Sequence, residues 1–483
     1  MKKNLLFLLF SFFIIQQITQ AQPFLGVHSS NYDALRNQSF NPALPGTSLQ
    51  KWQFNLVAVD FDGANDYFSI NGKIKDLINN FDKDVNIIEN TSNESANLQV
   101  RTDVFAPSFF FNTKRAGAFA FSSRVRTITR INDVNTGLLT SVVNDANNIY
   151  KWVNEIEDFK LDVNTHTFGE MAIGYSKPIK IGDRHTLTVG GNFKLLTRGA
   201  SGKFTAENIS INIDTIAQTA NFGESKITSY VSDMIDYFID DIEESKYKFG
   251  IHGFGGDVGF VYELKKKEST ELVNKKGKKS VRPDYIFKAG VALNDIGSLK
   301  YNASRYSRDF QATNTTVDLA DITDADSAFI DFDEVLDALG NNEKFEGSFR
   351  TQLPMHLTFF FDYRVTKGFF VNFSSLINTG TFNSDTKAKA KLQNVYTLTP
   401  RFELPIVGIQ VPMSYNRING FDMGASLRFN NIIVGSHNFL SYLWRKNADA
   451  INVHLAIAFG GMMKTKHIAS KKSKSKEKEE SEN

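Results

Sequence analysis

Residues 251–262 read IHGFGGDVGFVY, and the use made of the four glycines decides the fold. A phosphate-cradling loop would spend Gly253, Gly255, Gly256 and Gly259 on bending the backbone around an anion at a helix start. The spacing misses G-x-G-x-x-G, because the last interval is one residue too long, and the following VYELKKK reads as a charged turn rather than a helix. As a strand the stretch is coherent. His252, Phe254, Gly256, Val258, Phe260 and Tyr262 then share one face, and Ile251, Gly253, Gly255, Asp257, Gly259 and Val261 share the other. Bare glycines around one carboxylate leave room for a second backbone to approach. Gly253, Gly255 and Gly259 are therefore a candidate docking groove for another part of the chain.

The same period of two recurs. In FDMGASLRF, Phe421, Met423, Ala425, Leu427 and Phe429 oppose Asp422, Gly424, Ser426 and Arg428. In INVHLAIAFG, Ile451, Val453, Leu455, Ile457 and Phe459 form the apolar face, and in DYIFKAGVAL it is Tyr285, Phe287, Ala289, Val291 and Leu293, opposite Lys288 and Gly290. Segments of about ten residues with one greasy face and one small or charged face are the signature of a transmembrane β-barrel. Strands are expected near 52–61, 104–111, 115–126, 166–177, 185–198, 247–262, 282–293, 349–363, 368–377, 389–400, 406–416, 420–429, 432–438 and 451–460. That is an all-β, antiparallel barrel of about fourteen strands, an even number as closure requires. Connections 62–103, 127–165, 199–246 and 294–348 are long, whereas 112–114, 178–184 and 365–367 are short. This sorting is the outer-membrane pattern, with the long loops outside. Helical spacing in 138–156 (Leu138, Val142, Ile149, Val153, Ile156) and 227–242 (Ile227, Val231, Ile235, Phe238, Ile242) predicts helices in two of these loops. A third is expected in SAFIDFDEVLDALG.

The ends and the composition fit that reading. Lys2 and Lys3, an apolar run from Leu5 to Ile15, and Thr19 and Ala21 before Gln22 form a secretory signal peptide over 1–21. Its removal takes the formal net charge from +2 to zero, so no nucleic-acid partner is expected. The 43 Phe and 15 Tyr are spread through alternating segments, and no later stretch approaches 18 consecutive apolar residues. Residues 22–51 carry turn signals at Asn41-Pro42 and Leu44-Pro45-Gly46 and form an expected luminal plug, since a barrel of this size is too wide for wall side chains alone to fill. The barrel spans 52–460. Residues 461–483, with seven Lys and four Glu after Met463, read as a charged disordered tail on the periplasmic side.

Chemistry is sparse. There is no cysteine, which excludes disulfides, thiolate metal sites and a lipoprotein anchor. None of the eight histidines has metal-ligand spacing, and neither H-E-x-x-H nor G-x-S-x-G occurs, so no catalytic residue, cofactor or metal is expected. Charges on the non-greasy faces (Asp257, Lys288, Asp362, Arg364, Asp422, Arg428) are candidate lumen-lining residues, because Arg or Lys facing lipid at mid-membrane costs about 2–4 kcal/mol.

Asn31-Tyr32 followed by Asn41-Pro42-Ala43, ahead of KWQFNLVAVDFDG, resembles an uncharacterised family of Bacteroidota outer-membrane barrels that open with an "SNY…NPA" segment. YTLTPRFELPIVGIQVPMSYN and GASLRFNNIIVGSHNFL resemble the same family. That family is distantly similar to fatty-acid-transporter-type (FadL-like) barrels, and to barrels that accompany gliding motility and type IX secretion. The resemblance implies an outer-membrane location, and it marks Asn31, Tyr32, Asn41 and Pro42 as candidate plug residues. Two functions are expected from all this. One is a passive, porin-like channel for small hydrophobic solutes, in contact with outer-membrane lipid. The alternative is a non-transporting scaffold that binds a cell-surface, gliding or secretion protein through its outer loops. Neither is an enzyme.

Overall fold

A computed structural model describes residues 24–462 apart from 72–86, 137–158, 237–249, 267–271, 274–278, 319–341, 380–386 and a few isolated positions. Fourteen antiparallel strands close into a barrel. They are β1 (Gln50–Asn65), β2 (Ser95–Phe105 and Ser108–Thr113), β3 (Gly117–Asn135), β4 (Phe159–Lys180), β5 (His185–Ile209), β6 (Gly253–Lys265) and β7 (Tyr285–Asn302). The circuit continues with β8 (Ser348–Gln352 and His356–Arg364), β9 (Phe369–Asn378), β10 (Val395–Glu403), β11 (Val407–Gln410 and Met413–Asn416), β12 (Gly420–Met423 and Ala425–Phe429), β13 (Ile432–Ser436) and β14 (Ala450–Met462). Pairing of β1 with β14, from Gln50 opposite Met462 to Ala64 opposite Ala450, closes the ring. With both strand edges of the ring joined, the wall has no unpaired edge to satisfy in lipid.

The alternation works as the sequence implies. On β14, Ile451, Val453, Leu455 and Phe459 are exposed, while Asn452 and His454 are buried inside the ring. On β12, Phe421, Leu427 and Phe429 face out and Asp422, Ser426 and Arg428 face in. On β6, Phe254, Val258 and Phe260 point outward and Asp257 and Val261 inward. Each outward position saves the roughly 2–4 kcal/mol that a charge there would cost.

Several expectations change. The strands run well beyond the greasy bands: β3 reaches Asn135, β4 begins at Phe159 and β5 reaches Ile209, so much of what reads as loop is strand. Period-two hydrophobicity misses them because the β3 and β5 extensions carry few large apolar residues, and a bulge between His166 and Phe168 puts the Phe159-Leu161-Val163 alternation of β4 out of phase with the rest of the strand. Conversely, β6 starts at Gly253, not at 247. Ser225–Val231 is a strand rather than the start of a helix, pairing with β5 (Lys226 opposite Glu207) and with Arg308–Ala312. Its apolar residues at i and i+4, Ile227 and Val231, also satisfy a strand whose edges are both paired. Ile235, Phe238 and Ile242, the stretch 138–156 and SAFIDFDEVLDALG lie outside the described residues.

Tyr285 is a further correction. The pattern assigns it to the greasy face, yet it is buried and its hydroxyl donates to Asp362 at 2.5 Å. The register slips between Leu264 and Lys265, which pair with Phe287 and Tyr285, so β7 carries an extra residue there. A bulge of this kind shifts the phase of the alternation, so Tyr285, which precedes it, turns inward as Lys288 does beyond it.

Candidate functional site

Residues 24–49 are buried almost throughout, and their neighbours come from every side of the ring. Phe24 and Val27 cluster with Ala58 of β1, Phe105 of β2, Ile433 of β13 and Ala456 of β14. Ala34 and Leu35 meet Phe110 of β2 with Ala118 and Ala120 of β3. Phe40, Ala43 and Leu44 pack on Val261 of β6 and Phe360 of β8, and Leu25 packs on Val395 of β10. The segment holds a short helix, α1 (Ala34–Phe40), capped by the Asp33 side chain, which accepts from the Arg36 amide. Gln53 Oε1 accepts from the Ala34 and Leu35 amides at 3.0 and 3.1 Å, so the wall completes the helix start.

The two expected motifs make separate anchorages. Asn31 Nδ2 donates to Glu403 Oε2 at 2.8 Å and to the Tyr285 hydroxyl at 3.1 Å, and its Oδ1 accepts from Lys288 Nζ at 3.2 Å. Arg401 grips Asp362 with both terminal nitrogens, at 2.6 and 2.7 Å, beneath the same asparagine. Tyr32 lies under the Arg428 guanidinium, 4.8 Å from ring centroid to charge centre. At the second anchorage Asn41 Nδ2 donates to the carbonyls of Phe260 and Val291, both at 3.2 Å, and its Oδ1 accepts from the Ala43 amide at 2.9 Å. The neighbouring Phe40 carbonyl accepts from Thr358 at 2.8 Å and Asn294 at 3.0 Å. His28 Nε2 sits 3.1 Å from Ser374 Oγ, with its ring 4.2 Å from that of Phe40; burial lowers its pKa from 6.5 to about 3.

The glycine track divides. A Cβ at Gly259 would collide with Asn41 and Pro42, so this position does receive the N-terminal segment. Gly253 lies instead against the Ser298 carbonyl and Gly255 against Leu353 and the Ile296 carbonyl, and neither touches that segment. The docking groove is completed from β5, where a Cβ at Gly190 would collide with Pro42 and Ala43. Sequence reading missed Gly190; its signal is the pair Gly190-Gly191 inside an otherwise β-branched run.

The candidate lumen charges are all buried, but they form no single site. Lys288 and Asp362 belong to the Asn31 anchorage. Arg364 and Arg428 brace short turns: Arg364 donates to the carbonyls of Thr366 (3.1 Å) and Pro283, and Arg428 to those of Leu404 (2.6 Å) and Asn430 (2.8 Å). Asp422 pairs with Arg445 at 3.1 Å near the long-loop end. Only Asp257 joins the main charged feature, a belt that crosses eight strands.

That belt runs from Asp60 through Arg101 to Asp103, which lies 3.0 Å from Arg101 and 3.2 Å from Arg126. Arg124 meets Glu170 at 2.7 Å, and Arg126 meets Asp295 at 2.7 Å. Lys194 closes on Asp295 at 2.6 Å and Asp257 at 2.7 Å, while His356 lies 3.7 Å from Asp295. Asp295 owes its central place to a second bulge: Gly256 and Val258 pair with Ile296 and Leu293, leaving both Asn294 and Asp295 turned inward, the latter at φ +57°. The belt reaches the N-terminal segment through Asn192, which donates to Asp257 at 2.7 Å and accepts from Gln38 at 2.8 Å. Phe24 N also donates to Asp60 at 2.8 Å. Arginines two apart in RVR and the R-x-D of RTDVF were the available signals for the belt, in segments that read as strand end and loop.

A model for a family of unknown function, DUF5723, matches residues 42–436. The chain belongs to that family. No curated protein sequence matches it. Among solved structures it is similar to the deltaS2 mutant of the TodX monoaromatic hydrocarbon channel, at 9% identity and a TM-score of 0.42, covering 92% of this chain and 97% of that one. It is also similar to the CymD monoaromatic hydrocarbon channel (10%, 0.37, 91% and 95%) and to the toluene transporter TbuX of Ralstonia pickettii (10%, 0.35, 89% and 93%). At these values the likenesses carry no functional argument, and the fold rests on the strand pairing itself.

Above the belt, toward the long-loop end, an apolar cluster of Phe168, Leu196, Tyr230, Leu299, Tyr301, Phe349 and Leu353 packs between β4, β5, β7 and β8. Beyond it the inner mouth opens into a cavity of about 480 Å³ lined by β3, β4, β5 and residues 387–389. Among the described residues no group of His, Asp and Glu is arranged to hold a metal ion.

Proposed function

We propose that this family member is an outer-membrane channel in which residues 22–51 act as a plug, and that small solutes, hydrophobic ones among them, pass when that plug shifts. The observation that carries the reading is the spread of the segment's partners: one continuous stretch meets β1, β2, β3, β6, β8, β10, β13 and β14. Anchoring by hydrogen bonds at Asn31 and Asn41, rather than by a covalent link, makes the seat reversible, since each such bond contributes only about 0.5–1.5 kcal/mol net. Planar-bilayer conductance and solute uptake on the purified protein test the reading. Deletion of residues 24–47 is expected to raise both, and silence in both for the intact and the deleted protein overturns it.

The scaffold reading draws on a different observation. Ile211–Asp214, Thr219–Phe222 and Thr315–Asp318 form a three-stranded sheet separate from the barrel, with Ile216 almost wholly exposed at its turn. A stoichiometric crosslinked partner that is lost when residues 211–222 are replaced by a short linker would favour it over conduction.

A further inference from the structure

The mouth cavity differs from the rest of the interior in how its charges are used. Lys160 of β4, Lys203 of β5, Asp133 of β3 and Glu207 of β5 all line it. Among the described residues none of the four forms an ion pair within 4 Å, although two cations and two carboxylates share one cavity. Other lining charges are occupied. Lys389 Nζ donates to the Thr379 carbonyl at 2.6 Å, Lys387 lies over the Tyr230 ring at 5.4 Å, and Asp162 accepts from Asn164 at 2.5 Å. Cations and carboxylates that line one cavity without closing on each other are complementary to a ligand that carries both signs. A volume of about 480 Å³ is within the range of small-molecule sites, roughly 300–1,000 Å³.

We propose that this cavity is a capture site for small zwitterionic solutes of dipeptide size, with Lys160 and Lys203 receiving the carboxylate and Asp133 and Glu207 the ammonium. The charges are partly solvated, so each contact is weaker than a buried pair and binding is weak. Millimolar affinity suits a site at the entrance of a passive route, where a tightly held solute would not leave. The proposal goes beyond the channel reading and does not depend on it, because binding is measurable on the closed protein.

Isothermal titration of the full-length protein in nanodiscs with the dipeptide Ala-Ala, at low salt, is the test. Binding with a Kd on the order of 1 mM is expected, at least tenfold tighter than propionate, propylamine or toluene. Lys203→Gln and Glu207→Gln should each weaken it at least fivefold and leave heat-modifiable migration unchanged. Binding no better than that of the singly charged or uncharged compounds overturns the proposal, and so does dipeptide binding that survives the Lys160→Gln/Lys203→Gln double variant. Conductance recorded on the same preparations separates this outcome from failure of the channel reading.

Discussion

The belt and the mouth cavity use the same residue types at the same kind of inward position, yet they treat charge in opposite ways. In the belt, Asp295 touches Arg126 and Lys194 at 2.7 and 2.6 Å with no access to solvent. At the mouth, Lys203 and Glu207 form no ion pair within 4 Å among the described residues. Burial explains the difference. An unpaired charge at belt depth would carry a desolvation penalty of several kcal/mol, whereas one at the mouth keeps part of its water. Paired charge is therefore architecture here, and unpaired charge is available for ligands.

The sharpest way to break this comparison is Asp295→Ala, which leaves Arg126 and Lys194 without their shared carboxylate. We expect a loss of about 3–5 kcal/mol, read as a lower urea midpoint for refolding into lipid and a weakened heat-modifiable band. A wild-type midpoint would mean the belt is solvated like the mouth. Next in size is Gly190→Leu, which overpacks the contact with Pro42 and Ala43 by about 1–3 kcal/mol. The barrel should still fold while conductance rises, and an unchanged conductance would remove the docking role from β5.

Asn41→Leu should cost about 1–3 kcal/mol of seating, because the Phe260 and Val291 carbonyls lose their donor. Open events should increase roughly tenfold for each 1.4 kcal/mol lost. Acidification is a milder lever. His28 has a pKa near 3 when seated against 6.5 when free, so the released segment binds the extra proton. Seating is unaffected above pH 6.5 and weakens as pH falls from 6.5 toward 3, by up to about tenfold per pH unit. Conductance should follow that window in the wild type, and a profile unchanged by His28→Phe would refute the assignment. Smallest of all is Lys203→Ala, expected to stay within about 0.5 kcal/mol of wild-type stability; a belt-sized loss there would erase the distinction between the two regions.

What could be read from sequence followed the lipid. Phe254, Val258 and Phe260, or Ile451, Val453 and Leu455, announce their face because hydrocarbon tolerates nothing else, and fourteen such bands give the strand number and its parity. Asn41-Pro42 was legible as a turn, and Asp257, Lys288 and Asp362 as inward charges. The upper halves of β3, β4 and β5 were not, because those of β3 and β5 carry few large apolar residues and a bulge between His166 and Phe168 breaks the phase of β4. Tyr285, Asn294 and Asp295 were misassigned or missed because single-residue bulges shift the phase of a period-two pattern without altering composition.

The sequence alone therefore determined a transmembrane barrel, its number of strands and the greasy half of its surface, since each of these is imposed residue by residue by the surrounding solvent. Only the tertiary structure decided which charge meets which, that Asn31 reaches Glu403 across 372 positions of chain, and that Gly259 and Gly190, not Gly253 and Gly255, receive the N-terminal segment. Those facts depend on which strands face one another across the ring. Closure sets that through shear and bulges, and no local pattern of residues encodes it.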